Sequence, residues 1–451
     1  MKKYRFLSLL LLIPALLSLL VTPTAALDDI DLYCTHAVLL DANYGEILYS
    51  KKGDEKAYPA SITKVMTALL VMEAIEEGRL SPDTVVTVSA ESVANIPIDY
   101  IIGNFKQGEE VSIEELLYCM MLESDCDASN ILGEAVDGSV DSFVEHMNRK
   151  AGELGCENTH FTNTYGLHEE DHYTTAQDIA LWMQAALKYD LFRTVIQADR
   201  HTVPATNLSG ERFFYNKNGL ISNMYYSGYY YDKCIGGKTG TTDAAGRCLV
   251  AAAEDGETLF ISVILGSGPM EVPGETELKQ GQFRESKRLL QWGFDNFERV
   301  TITRGSDPVD KVKVTMSRQA DEVNVKPSGS ITRTLPKDMD LKQIETEITL
   351  FSKEVEAPVV EGQVLGTMKL SYRGELYGML DLVAVTSVER SELLYKKAQF
   401  FEFLHTAGLQ IALVTVMVLA ALVILRLLVF RRRRRYRSSG PRRRGGSRMR
   451  R

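Results

Sequence analysis

The sequence predicts a large mixed α/β domain of the α+β kind, then a small all-β sandwich, then one membrane-crossing helix. Three observations carry this. Apolar residues recur at helical spacing between residues 62 and 188, with strand-like runs before and after them. Beyond about residue 299 the pattern changes to short alternating segments separated by turn residues. From 408 to 430 the chain is apolar except for Gln410, Thr415 and Arg426.

Composition sets the outer limits. The chain has 451 residues, 45% apolar and 25% charged, with 33 Gly and 13 Pro, which excludes collagen-like, mucin-like and wholly disordered chains. There is room for two or three domains, one with a substantial core. The formal charge of -9 hides a segregation, because the last 21 residues hold 12 Arg and no acid. Residues 27–425 carry 35 basic against 60 acidic side chains, about -25, which argues against a nucleic-acid partner.

Taken in order, Lys2, Lys3 and Arg5 precede an apolar run over 6–21 and then Thr24-Ala25-Ala26. That run is short for a span, and the small residues suit cleavage, so 1–26 reads as a signal peptide. Asn43-Tyr44-Gly45 between two apolar runs signals a hairpin. Helices are expected over 62–77, closed by Gly78, then over 113–135 with Ser112 and Glu115 as a capping box, over 140–154 and over 175–188. Strands are expected at 236–239, 249–253 and 259–265, and a helix over 285–297. In the β module the expected strands are 312–316, 331–335, 345–351 and 364–372, with Arg373-Gly374-Glu375 as a turn.

Residues 389–407 read as a helical juxtamembrane linker, 408–430 as the span and 431–451 as its Arg-rich tail. Arg431 to Arg435 place that tail in the cytoplasm by the positive-inside rule, against anionic lipid, and place everything between the two apolar segments outside. The six cysteines, Cys34, Cys119, Cys126, Cys156, Cys234 and Cys248, would then lie where pairing is chemically allowed. Their spacing leaves 15 connectivities open and resembles no metal site.

Two short motifs point to chemistry. In Pro59-Ala60-Ser61-Ile62-Thr63-Lys64 a spacing of three puts Lys64 on the face of Ser61, one turn above the hydroxyl. A serine attacks a carbonyl when a base takes its proton, and a lysine is such a base once desolvation or a neighbouring cation lowers its pKa. In Gly236-Gly237-Lys238-Thr239-Gly240-Thr241 small residues admit a substrate backbone along a strand edge, with Lys238 ready for a carboxylate. The spacing of a phosphate-binding loop is missing.

Together and in this order, the two motifs resemble the penicillin-recognising serine enzymes. The segments 108–112, 160–167, 172–178 and 238–246, and 357–366 in the β module, narrow the resemblance to D-alanyl-D-alanine carboxypeptidases of the low-molecular-mass penicillin-binding protein type. The resemblance implies a serine β-lactamase/transpeptidase-like catalytic domain over 27–298 and an all-β C-terminal domain over 299–388. It implies that Ser61 is acylated, that Lys64 takes its proton, and that Lys238 and Thr239 hold the terminal carboxylate of a peptidoglycan stem peptide. Gly240 lies beside them, and the N–H groups of Ser61 and Thr241 would form the oxyanion hole. β-Lactams follow as covalent inhibitors, and no cofactor or metal is implied. Asn163, His172 and Asp178 match the family pattern and read as scaffold.

A third motif departs from the family. Where the pattern is Ser-x-Asn, this chain has Ser124-Asp125-Cys126, which keeps Ser124 as a catalytic candidate and puts a thiol where an amide would bind substrate. A thiol donates and accepts hydrogen bonds weakly, so contacts to substrate and to Lys64 are expected to be lost or altered. The alternative to an active carboxypeptidase is therefore a catalytically weakened homologue that binds cell-wall peptide or organises partners. A β-lactamase is a third reading, disfavoured by the β module.

Overall fold

The computed structural model describes residues 30–94, 96–97, 103–271, 279–372 and 374–436. The expected signal peptide and most of the Arg-rich tail lie outside the described residues. The chain divides into two compact units, Met1–Val300 with Thr332–Asp340, and Thr301–Ile331 with Leu341–Arg451.

The first unit is built on a five-stranded antiparallel sheet of β1 (His36–Asp41), β2 (Glu46–Lys51), β3 (Cys234–Thr242), β4 (Gly246–Asp255) and β5 (Thr258–Ser267). Its order is β2-β1-β5-β4-β3, so the N-terminal hairpin joins strands two hundred residues away and β3 forms an edge. Alternate residues of each strand point to opposite faces, and both faces are buried. Val38, Leu40, Val250 and Val263 join a core with Met66, Leu69 and Leu117. Leu39, Leu249, Ala251 and Ile264 join another with Phe283, Leu289 and Leu290.

The helices are α1 (Lys64–Glu76), α2 (Ile113–Leu122), α3 (Cys126–Asp137), α4 (Val140–Glu153), α5 (Ala176–Ala186), α6 (Asp190–Gln197) and α7 (Gly281–Asn296). α1 is buried at ten positions, as a helix that is apolar all round must be. One correction concerns the single helix expected over 113–135. It is two helices, because Ser124 adopts a left-handed φ of 69° and the Asp125 carboxylate accepts the Asp127 N–H as a new N-cap. The apolar pattern runs through the break because both helices feed one core. Ser112 caps α2 as expected, accepting from the Glu115 N–H at 3.4 Å, but the Glu115 carboxylate pairs with His201 Nε2 at 2.8 Å instead of completing the expected capping box. The helix α6 and the hairpin of Arg200–Val203 with Arg212–Tyr215 were not foreseen.

The second unit holds a six-stranded sheet of β6 (Asp310–Thr315), β7 (Glu322–Pro327), β8 (Glu345–Leu350), β9 (Glu354–Glu356), β10 (Val364–Tyr372) and β11 (Glu375–Ala384). Its order is β8-β10-β11-β7-β6-β9. Val312, Val314, Val325, Leu370 and Leu382 are buried in it. Two helices follow, α8 (Glu392–Leu404) and α9 (Ala407–Tyr436). Within α9 the 24 residues Ala407–Phe430, of hydropathy 2.9 and unburied, are long and apolar enough to cross a membrane.

Candidate active site

Ser61 lies in a tight 3-10 turn, Ala60–Thr63, that runs straight into α1. Ala60 has a left-handed φ of 47°, and Gly166, at φ 88°, lies so close that an added Cβ would collide with the Ala60 carbonyl oxygen. Thr63 Oγ1 donates to that same carbonyl at 2.8 Å and lies 2.8 Å from His172 Nε2. The Thr162 N–H donates to His172 Nδ1, so Nε2 carries the proton toward Thr63. Burial pushes His172 down to about 3, which keeps it neutral. Asn163 Oδ1 accepts the N–H groups of Gly166 and Leu167 at 2.7 and 3.0 Å, and Asp178 accepts from Thr159 at 2.7 Å. All three family-pattern residues are hydrogen-bonded into the fold.

Lys64 is wholly buried. Its Nζ lies 3.2 Å from Ser61 Oγ, 3.4 Å from Cys126 Sγ and 2.8 Å from the Tyr165 carbonyl oxygen. Burial is the main force pushing the amine below its ordinary pKa, and the Lys217 charge adds to it, while Cys126 and Asp125 oppose. Cys126 therefore keeps a contact to Lys64, in the weaker form open to a thiol. Burial raises the Cys126 pKa, which favours the neutral thiol over the thiolate. Ser124 is half-buried at the turn before α3, and the hydrogen bonds of Lys64 go to Ser61, Cys126 and Tyr165 instead.

Edge strand β3 runs alongside this turn. A Cβ on Gly240 would stand 2.9 Å from the Pro59 oxygen and 3.1 Å from the Ser61 nitrogen, so the strand can approach Ser61 only because position 240 has no side chain. Lys238 is buried, and its Nζ donates to the Thr239 carbonyl at 3.1 Å. Burial, then the charges of Lys64 and Lys217, hold Lys238 well below its ordinary pKa. Thr239 is half-buried and Thr241 exposed, with its hydroxyl donating to the Gly240 oxygen.

Sequence reasoning missed Lys217, whose charge acts on both buried lysines. It stands in no motif, and only the fold brings 217 beside 64 and 238. The six cysteines are unpaired thiols. Among the described residues no cluster of His, Cys, Asp and Glu could hold a metal. A cleft of about 550 Å³ lined by Tyr229, Arg284 and Trp292 lies along α7 and includes none of Ser61, Lys64 and Lys238. The chemistry, not this cleft, marks the site.

A family model for D-alanyl-D-alanine carboxypeptidase matches residues 22–268, and one for the penicillin-binding protein 5 C-terminal domain matches residues 297–390. The chain is 32% identical over 368 residues to the D-alanyl-D-alanine carboxypeptidase DacF of Bacillus subtilis (strain 168), covering 82% of this chain and 87% of that one. It is 30% identical to DacC of Escherichia coli (strain K12), covering 78% and 83%. Among solved structures it resembles penicillin-binding protein 5 from Haemophilus influenzae, with a TM-score of 0.63 and 27% identity over 81% of this chain and all of that one.

Proposed function

The chain belongs to the D-alanyl-D-alanine carboxypeptidase family of serine peptidases, and on that premise we propose that it forms an acyl-enzyme on Ser61 while removing the terminal D-alanine of peptidoglycan stem peptides. One observation carries the proposal. A buried lysine amine, disfavoured as a cation, sits 3.2 Å from a serine hydroxyl.

Ser61 Oγ attacks the carbonyl carbon of the penultimate D-alanine as its proton passes to Lys64 Nζ. The oxyanion forms between the N–H groups of Ser61 and Thr241, each donor of this kind being worth about 3 kcal/mol in serine peptidases. As the tetrahedral intermediate collapses, the proton moves from Lys64 to the departing D-alanine amine. Water then opens the ester. The free carboxylate of the substrate is held by Lys238 and Thr239, and its charge favours the protonated form of Lys238 that burial opposes. β-Lactams acylate the same hydroxyl.

The test is mass spectrometry of the full chain after exposure to a fluorescent penicillin, together with D-alanine release from diacetyl-Lys-D-Ala-D-Ala. A penicillin adduct on Ser61, absent from Ser61→Ala, is expected; an unmodified wild-type chain sinks the reading. The long, weak contact of the Cys126 thiol to Lys64 favours a second reading, a homologue of reduced turnover that binds cell-wall peptide. Under it, Cys126→Asn raises D-alanine release about tenfold or more; no gain excludes it.

The apolar helix and its flanking arginines support membrane anchoring, with the Arg-rich tail against anionic lipid in the cytoplasm and the catalytic unit outside. Residues 1–26 would be the export signal.

A further inference from the structure

We propose that Glu123 and Tyr225 are positioning residues that hold the Lys217 ammonium beside the catalytic amines. The proposal rests on the carboxypeptidase reading and adds to it a charge held in place by two residues outside its motifs.

The backbone at Lys217 is fixed first. Its N–H donates to the Leu122 carbonyl at 3.1 Å. Asn216 Nδ2 donates to the carbonyls of Ile196 and Ala198 at 3.1 and 2.9 Å, and Asn216 Oδ1 accepts the Asn218 N–H at 2.9 Å. Glu123 then takes the side chain. Lys217 Nζ donates to the Glu123 carbonyl oxygen at 2.7 Å and lies 3.1 Å from its Oε2. The other carboxylate oxygen, Oε1, accepts the Tyr225 hydroxyl at 2.6 Å and the Tyr215 N–H at 3.2 Å. Every oxygen of Glu123 is thus committed, and the residue is 6% exposed.

The position of this clamp gives it its consequence. Glu123 immediately precedes the left-handed Ser124 and the N-cap Asp125, so Lys217 closes the turn that delivers Cys126 to Lys64. A lysine side chain loses rotamer freedom when it is held in one place, so without partners it stays in solvent. Lys217 is one-third exposed and stays at the site only while held. Lys64 is faced by Ser61 from its own turn, by Cys126 and Asp125 at the start of α3, by Tyr165 from the 163–167 segment, by Lys238 from β3, and by Lys217. Of these, Lys238 is buried and pushed toward its neutral form, and Lys217 is the more exposed amine. A cation beside a basic amine favours its neutral form, so moving Lys217 away returns Lys64 toward the protonated state, which accepts no proton from Ser61. Tyr225 belongs to a stretch holding five tyrosines over 224–231 for which the motifs provide no role.

The experiment measures penicillin acylation of the full-length chain from about pH 5 to pH 9, with kcat and KM for diacetyl-Lys-D-Ala-D-Ala, in Lys217→Met, Glu123→Gln, Tyr225→Phe and the doubles with Lys217→Met. Lys217→Met is expected to shift the acid limb of acylation to higher pH. Tyr225→Phe, which changes no charge and lies at a partly exposed side chain, is expected to shift it the same way by less. Glu123→Gln is expected to lower kcat/KM about tenfold, and neither change to lower it further once Lys217 is Met. Effects that add fully in the Lys217→Met background overturn the proposal. So does an acid limb that Lys217→Met and Tyr225→Phe leave in place while only thermal stability falls. A wild-type chain that takes no penicillin removes the reaction itself and the proposal with it.

Discussion

At Lys64 burial, more than any single hydrogen bond, pushes the amine toward its neutral form. The amine proposed as the base is therefore placed where charge is costly. Lys64→Met keeps the volume and removes the amine, so penicillin acylation should fall about 10³-fold while the melting temperature stays level or rises, read by labelling rate and calorimetry. Asp125 shows the opposite sign. Burial, then the Asp127 charge, raises its carboxyl from 3.8 to about 7. The folded chain therefore binds a proton that the unfolded chain has lost between those pH values. Stability falls as pH rises through that window, and the penalty is complete above about 7. Asp125→Asn should raise the melting temperature more at about pH 8 than at about pH 4, and should move the acid limb of acylation to lower pH, because ionised Asp125 favours the protonated form of Lys64. An equal change at both pH values would refute the assignment of the penalty to this carboxyl.

Among the elements, the contact between the edge strand β3 and the Ala60–Thr63 turn decides whether the site exists. A strand is normally held off an element packed on its face by the side chains between them, and Gly240 removes that spacing at Ser61. Gly240→Ala places a Cβ against backbone atoms of Pro59 and Ser61, which cannot swing aside as a side chain does. Acylation should drop at least 100-fold, with the circular dichroism of the fold retained. A fully active Gly240→Ala chain would show that the strand tolerates retreat. The break between α2 and α3 belongs to the same scale. A continuous helix would carry Cys126 past Lys64, and the left-handed Ser124 turns the chain so that α3 starts at the site.

For the whole molecule, the catalytic unit holds its own core on both sides of its sheet, and the apolar helix α9 belongs to the other unit. Ending the chain before Ala407 should therefore move the protein from the membrane fraction to the supernatant, with penicillin acylation per molecule within twofold of the full chain. Loss of labelling on truncation would show that α9 contributes to the site. The catalytic unit carries most of the acidic excess over 27–425.

The sequence by itself determined the helices with strong 3.6-residue periodicity, the strands bounded by turn residues and the long apolar C-terminal helix, because those signals depend on neighbours a few positions apart. It also singled out Ser61, Lys64 and Lys238, since a spacing of three on a helix and a small-residue strand are local facts. Only the tertiary structure decided the rest. The break at Ser124 was hidden because apolar spacing is indifferent to a turn that returns both helices to one core. Lys217 was hidden because its relation to Lys64 is one of distance in space, across more than 150 residues of chain. The low pKa of Lys64 was likewise beyond the sequence, since desolvation is the sum of everything the fold packs around an amine.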